Sequence, residues 1–302
     1  MPSFTLVLSS APGAHVIAPK TVATARDLLA AHGAIEDRWL AEGEAWEALF
    51  DFDDEDSAGA ARKIALEVLG SLPVDVNAVP GNAEQRRKGL LVADMESTII
   101  EQELLDEIAR RAGLGDGIAA ITARAMRGEI EFEAALKERV ALLAGLDARI
   151  LDEAYQRVTF MPGAGTLVRT MKKHGATCAL VSGGFTVFTE RIATHLGFDE
   201  HQANVLEIEK GRLTGRVMEP ILGRQAKLHA LRRIARERGI DIAQTLAVGD
   251  GANDLDMIRE AGLGVAFRAK PIVAAEARAS IVHGDLTALL YLQGFRKSEF
   301  AG

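Results

Sequence analysis

Leu90-Leu91-Val92-Ala93-Asp94-Met95-Glu96-Ser97-Thr98 decides how this chain folds. Four apolar residues in a row suit a strand buried on both faces, as in a parallel sheet. Two carboxylates, two positions apart, follow at the C-terminal end of that strand, the edge along which open α/β sheets bind ligands. An Asp-x-Glu pair alone is a common surface pattern. Behind a buried strand it has no cheap structural reason, and so it marks a candidate site.

Three later stretches belong with it. Ser182-Gly183-Gly184 closes the apolar run Ala176–Val181. A hydroxyl with free N–H groups at a helix start can hold an anion, although a plain strand-to-helix turn reads the same way. Lys227 lies in a helical segment with Arg224, Arg232, Arg233, Arg236 and Arg238, where a solvated lysine is the default. Gly249-Asp250-Gly251-Ala252-Asn253-Asp254 follows the run Thr245–Val248 and sets three acceptor side chains in a glycine-flanked loop, a pattern suited to a hard cation.

Working outward, Leu263–Phe267 is another short apolar run, and each run precedes a helical pattern. The alternation predicts a doubly wound, Rossmann-like α/β unit from residue 90 to 302, with parallel strands and crossover helices. The helical stretch at about 101–158 is too long for a crossover and reads as an inserted cap. Asn204–Val217, turning at Lys210-Gly211, reads as a β-hairpin.

The first eighty residues have a different character. Strand patterns at Phe4–Ser9, Trp39–Leu40, Ala45–Phe52 and Val74–Val79 alternate with helical ones at Lys20–His32 and Ala58–Leu69. That β-α-β-β-α-β order predicts an α+β, ferredoxin-like module over 1–80. Gly81–Gly89 reads as a polar linker, with Arg86-Arg87-Lys88 solvated. Residues 1–83 hold five Lys/Arg against thirteen Asp/Glu, equal to the whole chain's net charge of −8. This charge break supports a boundary there and makes nucleic acid a poor partner, since phosphate binding rests on Lys and Arg.

Composition excludes more. Aromatics at 5% argue against a base-stacking surface, and the lone Cys178 excludes a disulfide framework or a multi-cysteine zinc site. No apolar run approaches the ~20 residues of a membrane span and no signal peptide is visible, so no membrane partner and a cytoplasmic protein are expected.

Taken together, Asp94-x-Glu96-x-Thr98, Ser182, Lys227 and Gly249-Asp250-Gly251-x-Asn253-Asp254 resemble the four ordered motifs of the haloacid dehalogenase superfamily. The resemblance implies a Mg²⁺-dependent phosphatase, with Mn²⁺ also suited to the oxygen ligands. It implies Asp94 as nucleophile, Lys227 as charge neutraliser, and Glu96 as the acid and base that serves the leaving group and water. It further implies that the Asp94 side chain, the Glu96 carbonyl and Asp250 hold the metal, with Asp254 orienting Lys227 and the metal's surroundings. The family's second acid is ordinarily Asp, so Glu96 is a departure that bears on proton transfer rather than on metal binding.

Within the cap, Glu103, Met126, Phe132 and Arg139 resemble the substrate-binding positions of phosphoserine phosphatases. The likeness implies that Glu103 pairs with an ammonium and Arg139 clamps a carboxylate. Phe132 and Met126 would cover the site, and Ser182, Gly183, Gly184 and Asn253 would contact the phosphoryl group and serine backbone. The implied reaction is hydrolysis of phosphoserine, the last step of L-serine biosynthesis. A phosphatase or phosphotransferase for another small phosphoester, and a non-catalytic amino-acid sensor, stand as alternatives. The N-terminal module resembles an ACT-type regulatory module in element order, for which L-serine as effector and a homodimer contact are both open.

Overall fold

The computed structural model describes all residues except 1–2, 31–33, 52–54 and 70, and omits the side chains of a few more, Met126 among them. Among the described residues, twelve strands form two large sheets and one hairpin. The first sheet contains β1 (Ser3–Ser10), β2 (Ala34–Ala41), β3 (Ala45–Asp51) and β4 (Val74–Pro80). Its order is β2-β3-β1-β4, every pair antiparallel, as the β-α-β-β-α-β pattern requires. Helices Pro19–Leu29 and Glu55–Leu69 cover one face. Phe4, Leu6, Leu8, Trp46, Ala48 and Phe50 alternate along β1 and β3 to fill the core beneath them. The predicted helix end at His32 and strand end at Phe52 fall outside the described residues.

The second sheet joins β5 (Leu90–Ala93), β6 (Thr177–Phe185), β7 (Glu200–Asn204), β10 (Thr245–Gly249), β11 (Leu263–Phe267) and β12 (Ala279–Ile281). Their order is β12-β11-β10-β5-β6-β7, all parallel. Central β5 is wholly buried. Leu91 and Ala93 face one hydrophobic layer, while Leu90 and Val92 face the other, beneath the helix Arg224–Arg238. β7 and β12 were not anticipated, because Glu200-His201-Gln202-Ala203-Asn204 carries no apolar run and β12 is only 3 residues long.

Between β5 and β6, the stretch read as one helical cap is four helices: Leu104–Ala112, Gly115–Met126, Phe132–Ala141 and Arg149–Tyr155. The first ends at Gly113, whose φ of 72° is the left-handed geometry that glycine adopts freely. The hairpin of β8 (Leu206–Glu209) and β9 (Arg212–Val217) leans on the cap, with Gly145 N–H donating to Leu213 O at 2.8 Å. Lys210 and Gly211 both have positive φ, the condition for a tight two-residue turn.

The segment 81–89 departs from its reading as a solvated linker. Arg86 is 1% exposed. Its guanidinium pairs with Glu47 of β3 and donates to Leu292 O at 2.8 Å. Arg87 lies 4.1 Å over the Phe295 ring. The two sheets are in fact joined by buried polar contacts. Asp75 of β4 accepts the backbone N–H groups of Val282 and Gly284, each at 2.8 Å, and Asn77 bonds both the N–H and the C=O of Ser280. Tyr291 donates to buried Glu44 at 2.7 Å. Val7, Leu40, Ala45 and Val79 share the main hydrophobic core with the parallel sheet. Arg86 is buried here because Glu47 of β3 supplies the counter-charge that sequence spacing does not reveal. Among the described residues, no helix is long and apolar enough to cross a membrane.

Candidate active site

The C-terminal ends of β5, β6, β10 and β11 open onto a cavity of about 470 Å³, roofed by the cap. Asp94 follows β5 directly, and its N–H donates to Val248 O at 3.0 Å, which continues the ladder onto β10. Its carboxylate is nearly buried. Lys227 reaches it from the helix Arg224–Arg238, with Nζ 2.7 Å from Asp94 Oδ1 and 2.5 Å from Asp254 Oδ1. Lys227 lies on the stripe of Ala230, Leu231, Ile234 and Ala235, which turns it inward while the helix's arginines stay at the surface. Burial alone would lower the Lys227 pKa, but Asp254 and Asp94 hold it above its usual range.

Asp250, Asp254 and Asp94 offer carboxylate oxygens within 4.8 Å of one another. Asp254 Oδ2 also accepts Gly251 N–H at 3.0 Å, tying the loop into a 3₁₀ turn. The loop needs its glycines: a Cβ on Gly249 would collide with the Asp254 carboxyl group. Burial, then the charge of Asp254, pushes the Asp94 carboxyl up to about 8, even beside Lys227. The same two causes raise Asp250 to about 6. Asp250's carboxylate has neither an ion pair nor a hydrogen bond among the described residues, and one lysine does not balance three acids. A divalent cation fits this oxygen-rich, under-neutralised cluster. Among the described residues no hydrogen bond takes the Glu96 carbonyl, which leaves it free as a further oxygen ligand.

Glu96 makes use of its extra length. Oε1 accepts Leu104 N–H at 2.7 Å, at the start of the first cap helix. Oε2 lies 2.9 Å from where a side chain on residue 184 would begin, so Gly184 is what gives the longer acid room. Burial, then the nearby charge of Glu103, pushes its carboxyl up to about 8. Ser97, between Glu96 and Thr98, has φ of 57°, a left-handed geometry uncommon for serine.

Ser182, Gly183, Gly184 and Asn253 line the same cavity, and Ser182 Oγ accepts Gly184 N–H at 2.9 Å. From the cap come Glu103, Phe132 and Arg139. Glu103 is fixed by Ser97 Oγ, which donates to Oε1 at 2.8 Å. Arg139 donates to Ala135 O at 3.3 Å and makes no ion pair with a described residue, so its guanidinium is available to an anion. Met126 ends the second cap helix, and its side chain lies outside the described residues. Three polar lining residues had no reading in the sequence: Asp106, Thr122 and Lys270. Lys270 had a signal, since it follows the C-terminal end of β11, whereas Asp106 and Thr122 sit on cap helices without a motif.

Residues 91–259 match the haloacid dehalogenase-like hydrolase family. Over 229 residues, 76% of this chain, the sequence is 48% identical to the phosphoserine phosphatase of Streptomyces coelicolor, a stretch that makes up 56% of that relative. The crystal structure of a probable phosphoserine phosphatase from Vibrio cholerae superposes with a TM-score of 0.77 at 31% identity, over 98% of this chain and 88% of the other. A phospho-aspartyl intermediate analogue of phosphoserine phosphatase superposes with a TM-score of 0.64 at 40% identity, over 68% of this chain and 98% of the other. With the match covering more than half of the chain and its motifs gathered around one cavity, this protein belongs to the haloacid dehalogenase-like hydrolase family.

Proposed function

We propose that this protein hydrolyses O-phospho-L-serine to L-serine and phosphate, the closing step of L-serine biosynthesis, with Mg²⁺ in the acid cluster. One observation carries the reading: a single cavity has Asp94 at its floor, with Lys227 2.7 Å behind it, and Glu103 and Arg139 on the cap side. Those two opposite charges match the ammonium and carboxylate of an amino acid, and the floor matches its phosphoryl group. Similarity to phosphoserine phosphatases supports the same substrate.

In this mechanism an Asp94 carboxylate oxygen attacks phosphorus and the bond to the serine oxygen breaks. Glu96 delivers a proton to that oxygen, and L-serine leaves. Glu96 then takes a proton from water, whose oxygen attacks the aspartyl-phosphate and releases phosphate, regenerating Asp94. Ser182 and the N–H groups beside Gly183 and Gly184 hold the phosphoryl oxygens. Lys227 favours the ionised form of Asp94 against burial and orients its carboxylate, and Asp254 fixes Lys227. Asp94, Asp250 and the Glu96 carbonyl would hold the cation, which when bound offsets the charge between nucleophile and phosphoryl group; Mn²⁺ suits the same ligands. Phe132 closes the cavity against water.

Two substitutions test the roles. Arg139→Ala is expected to lower kcat/KM for phosphoserine by about 10²-fold, the worth of a charge-assisted hydrogen-bond pair. A phosphomonoester without a carboxylate should lose less than about threefold, because uniform loss would mean that Arg139 only supports the fold. Glu96→Gln keeps the acceptor for Leu104 N–H but cannot exchange protons, and should reduce kcat by roughly 10²–10⁴-fold. A loss below about tenfold in steady-state assays would assign proton transfer to another group.

Residues 1–80, 81–89 and 90–302 are taken as module, connector and catalytic unit. For the module we favour a homodimer contact or L-serine binding.

A further inference from the structure

Lys270 is the cationic residue of the described cavity wall that neither motif nor mechanism uses. It precedes the helix Pro271–Glu276, and its N–H donates to Asp250 O at 3.2 Å, so the backbone holds it beside the acid cluster. Its side chain lines the cavity and is solvent-exposed. Its ammonium makes no ion pair and no hydrogen bond with any described residue. The cavity wall carries Asp94, Glu96, Glu103, Asp106 and Asp250 against only Arg139 and Lys270 among the described residues. Lys227, below, is already shared between two carboxylates. A phosphoryl dianion approaching this rim meets more acidic than cationic side chains. On the core side of the described cavity wall, Lys270 alone attracts it.

We propose that Lys270 is a substrate-capture residue: its free ammonium binds a non-bridging phosphoryl oxygen of the incoming phosphomonoester and holds released phosphate at the mouth. Arg139 takes the carboxylate on the cap side, so the two unpaired cations divide the two anionic ends of the substrate. A free cation at the rim of an acidic cleft acts through long-range attraction, which salt screens. The inference rests on the phosphomonoesterase reading of the same cavity and adds a residue to it.

The test compares wild type, Lys270→Gln and Lys270→Arg in Mg²⁺ buffer. Lys270→Gln is expected to raise KM for phosphoserine about tenfold and to weaken inhibition by inorganic phosphate by a similar factor. The loss should lie in KM rather than kcat. The fall of kcat/KM with added salt should flatten, and Lys270→Arg should restore all three. Unchanged KM, phosphate inhibition and salt slope in Lys270→Gln would overturn the proposal, as would a loss confined to kcat. Calorimetric titration of inorganic phosphate into wild type and Lys270→Gln separates this from the choice of substrate. Weakened phosphate binding supports Lys270 even where phosphoserine is not turned over, and equal binding refutes it even where phosphoserine is turned over.

Discussion

Replacing Asp94 by asparagine is expected to lower kcat on phosphoserine by at least about 10⁴-fold, since the step that forms the aspartyl-phosphate loses its nucleophile. The substitution is nearly isosteric, and Lys227 keeps its contact to Asp254. It also removes one negative charge from a buried cluster in which three carboxylates crowd within 4.8 Å. Thermal stability should therefore stay level or rise while turnover disappears. Two measurements check both halves. Rapid-quench assays with labelled phosphoserine should trap no phosphate covalently on the Asp94→Asn variant, and its melting transition should be retained. Turnover within about a hundredfold of wild type would remove Asp94 from the covalent step.

The second large effect concerns stability. Arg86 is buried, with Glu47 on one side and Leu292 O on the other. Burial lowers its pKa, and the adjacent Glu47 works against that shift. Arg86→Met would strand Glu47 and Leu292 O in the interface between the two sheets. Breaking a buried ion pair by removing one partner costs about 3–5 kcal/mol. Arg38 still reaches Glu47 Oε1 at 2.7 Å, so the lower end of that range, about 3 kcal/mol, is expected. Urea unfolding followed by tryptophan fluorescence reads the change, because Trp46 is wholly buried in the N-terminal module. A loss below about 1 kcal/mol would mean that the segment behaves as a solvated connection after all.

That contrast marks what the sequence revealed and what it hid. Leu90–Ala93 announced a central strand because four buried residues in a row suit a sheet covered on both faces. The acids and glycines around Asp94 and Asp250 were legible because strand ends in such sheets have few other reasons to carry them. Lys227 stood among arginines, yet its spacing to Ala230, Leu231 and Ile234 was already that of an inward stripe. Arg86 carried no comparable signal. Its burial depends on Glu47, 39 residues away, and on a carbonyl 206 residues away. The polar strand β7 was likewise fixed by tertiary neighbours rather than by local pattern. The length of Glu96 looked like a deviation in sequence. In the structure it spans from Leu104 N–H to the space left by Gly184, so the acid and the cap are positioned together.

The most direct measurement is phosphate release from O-phospho-L-serine in Mg²⁺, after EDTA, and after Mg²⁺ is restored. Turnover that EDTA abolishes and added Mg²⁺ recovers is the expected outcome. Absence of release from phosphoserine, or release that EDTA leaves untouched, would contradict a metal-dependent phosphoserine hydrolase built on Asp94.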